Sequence, residues 1–150
     1  MAGDVSYDIG IQPTVISIPI LNNGDLSFIE NRVVDHRTTD AGGVAVVHTA
    51  GLSLAIGTLT AKIWARLSDG SAGAFWWRST VARWDLSANI TLIGSAGQDV
   101  IPPQVDAALS TASVTLPVAS GGIEVQIAGL AATTIDWLVI YEEQIYHQIG

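Results

Sequence analysis

"GIEVQIAGLAATTIDWLVIYEEQ", Gly122–Gln144, holds two strand patterns around one turn. From Ile123 to Ile127 apolar and polar residues alternate, so one side of the strand faces a core and the other faces outward. Val125 and Ile127 are core candidates on that alternation. Gly129 suits a tight turn that a Cβ would hinder. Thr133 and Thr134 suit the start of a second strand, and Trp137 offers it a large core anchor. Glu142 and Glu143 are adjacent on that strand, so they point to opposite faces and cannot work on one substrate.

The rest of the chain repeats this composition. Val, Ile and Thr dominate the apolar runs, and turn signals recur at Asn22–Asp25, Asp40–Gly43, Asp69-Gly70, Gly94–Gly97, Pro102-Pro103 and Ser120–Gly122. Strands are expected at Leu26–Val34, Val44–Ala50, Gly57–Leu67, Ala74–Asp85, Asn89–Ile93, Ala112–Val118, Gly122–Ala128 and Thr133–Tyr146. Gly94–Leu109 reads as a long loop holding a short strand at Val100-Ile101 and a helical turn within Val105–Ser110. The expected fold is all-β: a two-sheet antiparallel sandwich of jelly-roll type with about eight strands.

The first segment is different. Pro13 and Pro19 interrupt "IQPTVISIPIL" (Ile11–Leu21), and a proline removes a ladder donor. Residues 1–21 are therefore expected as an extended N-terminal arm or an edge strand, leading into a sandwich domain over 22–150. Ile16, Ile18 and Ile20 make this arm apolar and suit it to clasp a neighbouring subunit. Ile145–Ile149, with Tyr146, is a second candidate arm.

Composition narrows the function. The chain has 150 residues, enough for one domain, and 49% of them are apolar against 13% charged. So little charge leans toward surface buried against other subunits. The net charge is −8 with only six bases, which disfavours nucleic acid binding. No cysteine is present, so disulfides and thiol chemistry are excluded. No apolar run reaches the roughly 18 residues of a membrane helix. The N-terminus carries acids where a signal peptide carries bases, so synthesis in the cytoplasm, off any secretory route, is expected.

The pair of strands in "LTAKIWARLSDGSAGAFWWRSTVARWD", Leu59–Asp85, holds four of the five tryptophans and four of the six bases. Leu59, Ala61, Ile63, Ala65 and Leu67 share a core face; Thr60, Lys62, Trp64, Arg66 and Ser68 share the other. Trp76 and Trp77 must point oppositely. Trp64, Trp76, Trp84, Arg66 and Arg78 are interface candidates, since Trp and Arg are enriched at binding hot spots. Packing of Arg and Lys stems over indoles, and a sugar site built on an exposed indole, are the other readings of this hairpin.

Catalytic signals are poor. Asp35-His36, His48 and Ser53 form no recognisable nucleophile set, and no Gly-x-Ser-x-Gly elbow surrounds a serine. His36, His48 and His147 lack metal-ligand spacing. Asn22–Asp25 has oxygen ligands but no closing glutamate for a calcium loop, and reads as a turn. No enzyme activity, cofactor or metal is expected.

Val125–Gly129, the Ala131–Thr134 turn and Ile135-Asp136-Trp137 together resemble the closing segment of tailed-phage virion β-sandwich proteins. Those often carry Ile-Asn-Trp at the last position, where this chain has Asp136. An Ala-x-Arg strand followed by an aromatic strand is similar to Ala65-Arg66 through Arg83-Trp84. The resemblance spans roughly Val33–Gln144 and covers capsid decoration, head-fibre and tail-fibre modules. It implies a structural protein of the bacteriophage virion. The expected role is a capsid decoration (cement) protein on the capsid surface that stabilises the head lattice. Its expected partners are the major capsid protein and sister copies in a homotrimer. The alternative is a receptor- or glycan-binding module of a phage fibre or spike, with a host glycan as partner.

Overall fold

The computed structural model describes residues 5–7, 14–18, 25–51 and 53–148. Two antiparallel sheets face each other across one core. The larger contains β1 (Val5–Tyr7), β2 (Thr14–Ile18), β3 (Asp25–Thr38), β5 (Ala55–Leu67), β6 (Gly73–Trp84), β7 (Ile90–Val105) and β11 (Ile135–Gln148). The smaller contains β4 (Gly43–Ala50), β8 (Ser113–Thr115), β9 (Val118–Ala119) and β10 (Gly122–Ala128). The fold is thus an all-β sandwich-like arrangement. Each strand expected from the sequence has a counterpart, from β3 to β8 and in β10 and β11. A single 3-10 turn, Ala107–Leu109, joins the sheets between β7 and β8 and buries Leu109. Among the described residues no helix is long and apolar enough to cross a membrane.

The larger sheet runs β1-β3-β11-β5-β6-β7, with β2 also paired to β3. The chain's last described strand therefore lies in the middle of the sheet. β11 pairs with β3 from Ile135↔Thr38 to Gln148↔Asp25, and with β5 from Ile135↔Leu67 to His147↔Ala55. This corrects the expectation of a C-terminal arm: residues up to Gln148 are hydrogen-bonded, and Ile145 is buried. Residues 14–18 pair along β3 from Thr14↔Asn31 to Ile18↔Ser27, which places the backbone of Ile16 and Ile18 in an outer strand. Ile20 lies outside the described residues.

Strand alternation builds the core. Leu59, Ala61, Ile63 and Ala65 of β5, Trp76 and Ala82 of β6, and Trp137 and Val139 of β11 point inward and are buried. Val47 of β4, Val114 of β8, and Ile123, Val125 and Ile127 of β10 meet them from the smaller sheet, while Leu67 packs half-buried at the margin. Trp76 and Trp137 stack with centroids 5.8 Å apart and planes 24° from parallel. The Trp137 indole donates to Thr38 Oγ1 at 2.9 Å, satisfying the polar atom that burial would otherwise strand.

Polar ties join the two layers on one side. Thr80 Oγ1 donates to the Leu116 carbonyl at 2.7 Å, and Arg78 donates to the Val114 carbonyl and, at 2.7 Å, to Asp99. Arg78 is thus a structural clamp on the inner side of β6, which corrects its assignment to an interface. Trp76 and Trp84 need the same correction. They are only 4% and 3% exposed, and the Trp84 indole donates to the Gly121 carbonyl at 2.8 Å.

The expected loop after Ile93 is a strand instead. β7 runs on to Val105 beside β6, with register shifts opposite Phe75–Arg78 and Ser79–Val81. Gly94 and Gly97 take positive φ (74° and 62°), which absorbs the irregularity. Pro102 and Pro103 are tolerated because β7 is the edge of the sheet.

Candidate ligand-binding face

The outer face of the larger sheet carries the side chains that the core excludes. Register places them in rows across the strands. One row reads Arg37–Asp136–Arg66, the next Asp35–Leu138–Trp64–Phe75–Gln104, and the next Val33–Ile140–Lys62–Trp77–Ile101. A fourth reads Asn31–Glu142–Thr60–Ser79–Gln98. Trp64 is 37% exposed and leans on Phe75, with centroids 5.0 Å apart and planes tilted by 45°.

Shallow clefts among the described residues open on this face, three of them around Trp64 and Lys62. The largest, about 640 Å³, is lined by Trp64, Arg66, Gly73, Phe75, Gln104, Val105 and Asp106. Its far wall is fixed by Asp106, whose carboxylate accepts the Gly73 N–H at 2.9 Å while its own N–H donates to the Gly73 carbonyl. A second, about 220 Å³, lies on the other side of Trp64 and is lined by Asp35, Arg66, Asp136 and Leu138. Trp64 and Arg66 are therefore a ridge shared by two clefts. The third, about 250 Å³, is lined by Asn31, Thr60, Lys62, Trp77, Ile140 and Glu142. There the Lys62 ammonium sits 4.5 Å above the Trp77 ring centroid.

Asp136 organises one end of the face. Arg37 Nε donates to one carboxylate oxygen at 2.7 Å and Arg66 Nη2 to the other at 3.3 Å. These bonds, led by that from Arg37, hold the Asp136 carboxyl below the usual carboxylate range. Asp35, on the cleft wall nearby, is pushed the other way, first by burial and then by the Asp136 charge. Such a face offers a flat indole for stacking, guanidinium and ammonium donors, and carboxylate and amide acceptors. Those are the groups that fix a ring bearing many hydroxyls.

The other sequence candidates separate. His48 meets Glu124 at 3.1 Å on the smaller sheet, whereas His36 is buried in the larger one, so they do not share a site with Ser53. Among the described residues no group of three or more His, Asp or Glu is placed to hold a metal ion. Glu142 faces outward at a cleft and Glu143 is buried. Tyr146 is exposed on the outer face, far along β11 from Trp64. Phe75, Gln104 and Asp106 were not singled out as site residues from sequence, and Asp35 was weighed there only beside His36 in a nucleophile set. Their membership depends on the pairing of β3 with β11 and of β6 with β7, which strand alternation alone does not specify.

No protein-family model matches this chain, and no curated protein matches it in sequence. Its fold is similar to part of a solved structure, the tailspike protein gp49 of Acinetobacter baumannii bacteriophage Fri1, described as a capsular polysaccharide depolymerase. The two are 15% identical with a TM-score of 0.52, and the match covers 91% of this chain and 20% of the tailspike. This chain thus shares its fold with a portion of a phage virion protein. The likeness also corrects the expectation of a non-enzyme. The fold occurs within a chain that has enzyme activity, so a missing catalytic motif is no ground for excluding activity here.

Proposed function

We propose that this chain is a glycan-recognition module of a phage spike or fibre, binding saccharide against the outer face of its larger sheet. The observation that carries this reading is the exposed Trp64 ridge between two clefts lined by Arg66, Asp35, Asp106 and Gln104. The fold shared with a tailspike supports the setting. This reading displaces capsid decoration as the leading role. Bacterial capsular polysaccharides immobilised on a plate provide the test, with reducing-end release measured alongside binding. Saturable binding to at least one of them, reduced at least about ten-fold in Trp64→Ala, is expected. Binding that survives Trp64→Ala unchanged contradicts the assignment of the face.

A second reading keeps one specific support. Ile56, Ile140 and Tyr146 are exposed on the same sheet face, and such residues suit burial against sister copies or a capsid protein. Under that reading the chain is a homotrimeric decoration protein. Immunogold labelling of virions separates the two: label on tails favours the spike or fibre module, and label spread over heads favours decoration.

A further inference from the structure

We propose that the glycan held by this face is anionic, its acid groups taken by Lys62 and Arg66 on either side of a sugar lying against Trp64. The inference rests on the glycan-binding reading above and adds the chemical class of the ligand.

Charge segregation is the first observation. The chain as a whole carries 14 acids against six bases, a net charge of −8. Yet β5 and β6 together hold Lys62, Arg66, Arg78 and Arg83 and not one Asp or Glu. Arg78 is spent on Asp99 and the Val114 carbonyl inside the sandwich. Lys62 and Arg66 are not spent in that way. They alternate with Trp64 on the outer face, so each lies one pleat repeat, roughly 6.5–7 Å, from the indole along the strand.

The second observation is what each cation has left to give. Arg66 makes one contact with Asp136, through Nη2 at 3.3 Å, while Arg37 makes the shorter one at 2.7 Å. A guanidinium has five N–H donors, and the Arg66 side chain is 65% exposed and lines both clefts, so donors beyond its Asp136 contact are open to a ligand. The Lys62 ammonium is held over Trp77, and among the described residues no carboxylate lies within ion-pair distance of it. The acids facing this strip are Asp35 and Asp136 toward β3 and β11, Glu142 beside Lys62, and Asp106 beyond Phe75. One Asp106 oxygen takes the Gly73 N–H, and both Asp136 oxygens take arginine donors. A cationic strip over β5 therefore lies between acidic margins. A neutral sugar would leave Lys62 with no carboxylate partner and Arg66 with only its long contact to Asp136, whereas an acidic one supplies each with a close anion.

The test compares capsular polysaccharides that contain uronic or sialic acids with the same polymers after reduction of their carboxyl groups. Tryptophan fluorescence of the intact chain is titrated with each form at low and at raised salt. Carboxyl reduction is expected to weaken binding at least about ten-fold, as is Lys62→Met or Arg66→Met, and raised salt is expected to weaken binding of the acidic form only. Equal binding of native and reduced polymers overturns the anionic assignment and leaves the glycan site standing. No binding of either form, across the panel, overturns both. The comparison of ligands uses the unmodified chain, so it does not depend on either variant folding.

Discussion

The two faces of the β5–β6 hairpin share one backbone and differ in everything else. Inward, Leu59, Ala61, Ile63, Trp76 and Trp84 are sealed against the smaller sheet. Outward, Lys62, Trp64, Arg66, Phe75 and Trp77 line clefts. The same residue type does opposite work on the two sides. Trp76 and Trp84 fill the core, while Trp64 is exposed on the outer face and Trp77 lies half-buried there under Lys62. A two-residue period thus separates a packed face from a cleft-lined one on a single element, and substitutions on the two faces are expected to part along that line.

The largest effect is expected in the core. Trp76→Ala or Trp137→Ala removes half of the stacked pair and should cost about 3–5 kcal/mol, read from the urea midpoint. A comparable loss for Trp64→Ala would break the comparison. Gly129→Ala comes next. Its Cβ would lie 2.5 Å from Thr38 Oγ1 and 2.6 Å from the Asp40 carbonyl, so a loss of about 1–3 kcal/mol is expected from overpacking. It would also disturb the Trp137–Thr38 hydrogen bond. Trp64→Ala forfeits contact with Phe75 and should cost only about 1 kcal/mol, with saccharide binding lost.

The smallest effect is expected at Asp136→Asn, under about 1 kcal/mol at neutral pH, because its arginine pairs are partly exposed. Its pH dependence sharpens the comparison. Asp136 is held low in the folded chain, so its contribution is present above the unfolded carboxyl value and fades as pH falls through the folded one. Asp35 is held high and has the opposite sign: the folded state gains as pH falls through its raised value. Urea midpoints of wild type and Asp136→Asn should converge below about pH 4. A difference that grows on acidification contradicts the clamp.

Much of this was legible in the sequence. Alternation on β5 separates Leu59, Ala61, Ile63 and Ala65 from Lys62, Trp64 and Arg66, and the structure places them on those two sides. Trp76 and Trp77 had to diverge, but which one enters the core depends on the partner sheet. Trp84 is buried because Gly51 leaves room for its ring: a Cβ there would fall 1.8 Å from the indole. No periodicity within β6 reveals a glycine outside it. β7 was legible only in pieces, at Asn89–Ile93 and Val100-Ile101, because Gly94, Gly97, Pro102 and Pro103 punctuate it, and only an edge position beside β6 lets such a segment remain one strand. Gly129 was read as a tight turn that a Cβ would hinder, but sequence could not say what the Cβ would meet. Its constraint is the close approach of Thr38 and Asp40, which adjoin it only after folding.

The most direct test of the outer face as the binding face is an NMR record of the five indole N–H signals with and without a bound acidic capsular polysaccharide. The account predicts that the Trp64 signal shifts most and Trp77 next, while Trp76, Trp84 and Trp137 stay in place as buried controls. Saturable binding that leaves Trp64 and Trp77 unmoved would contradict it.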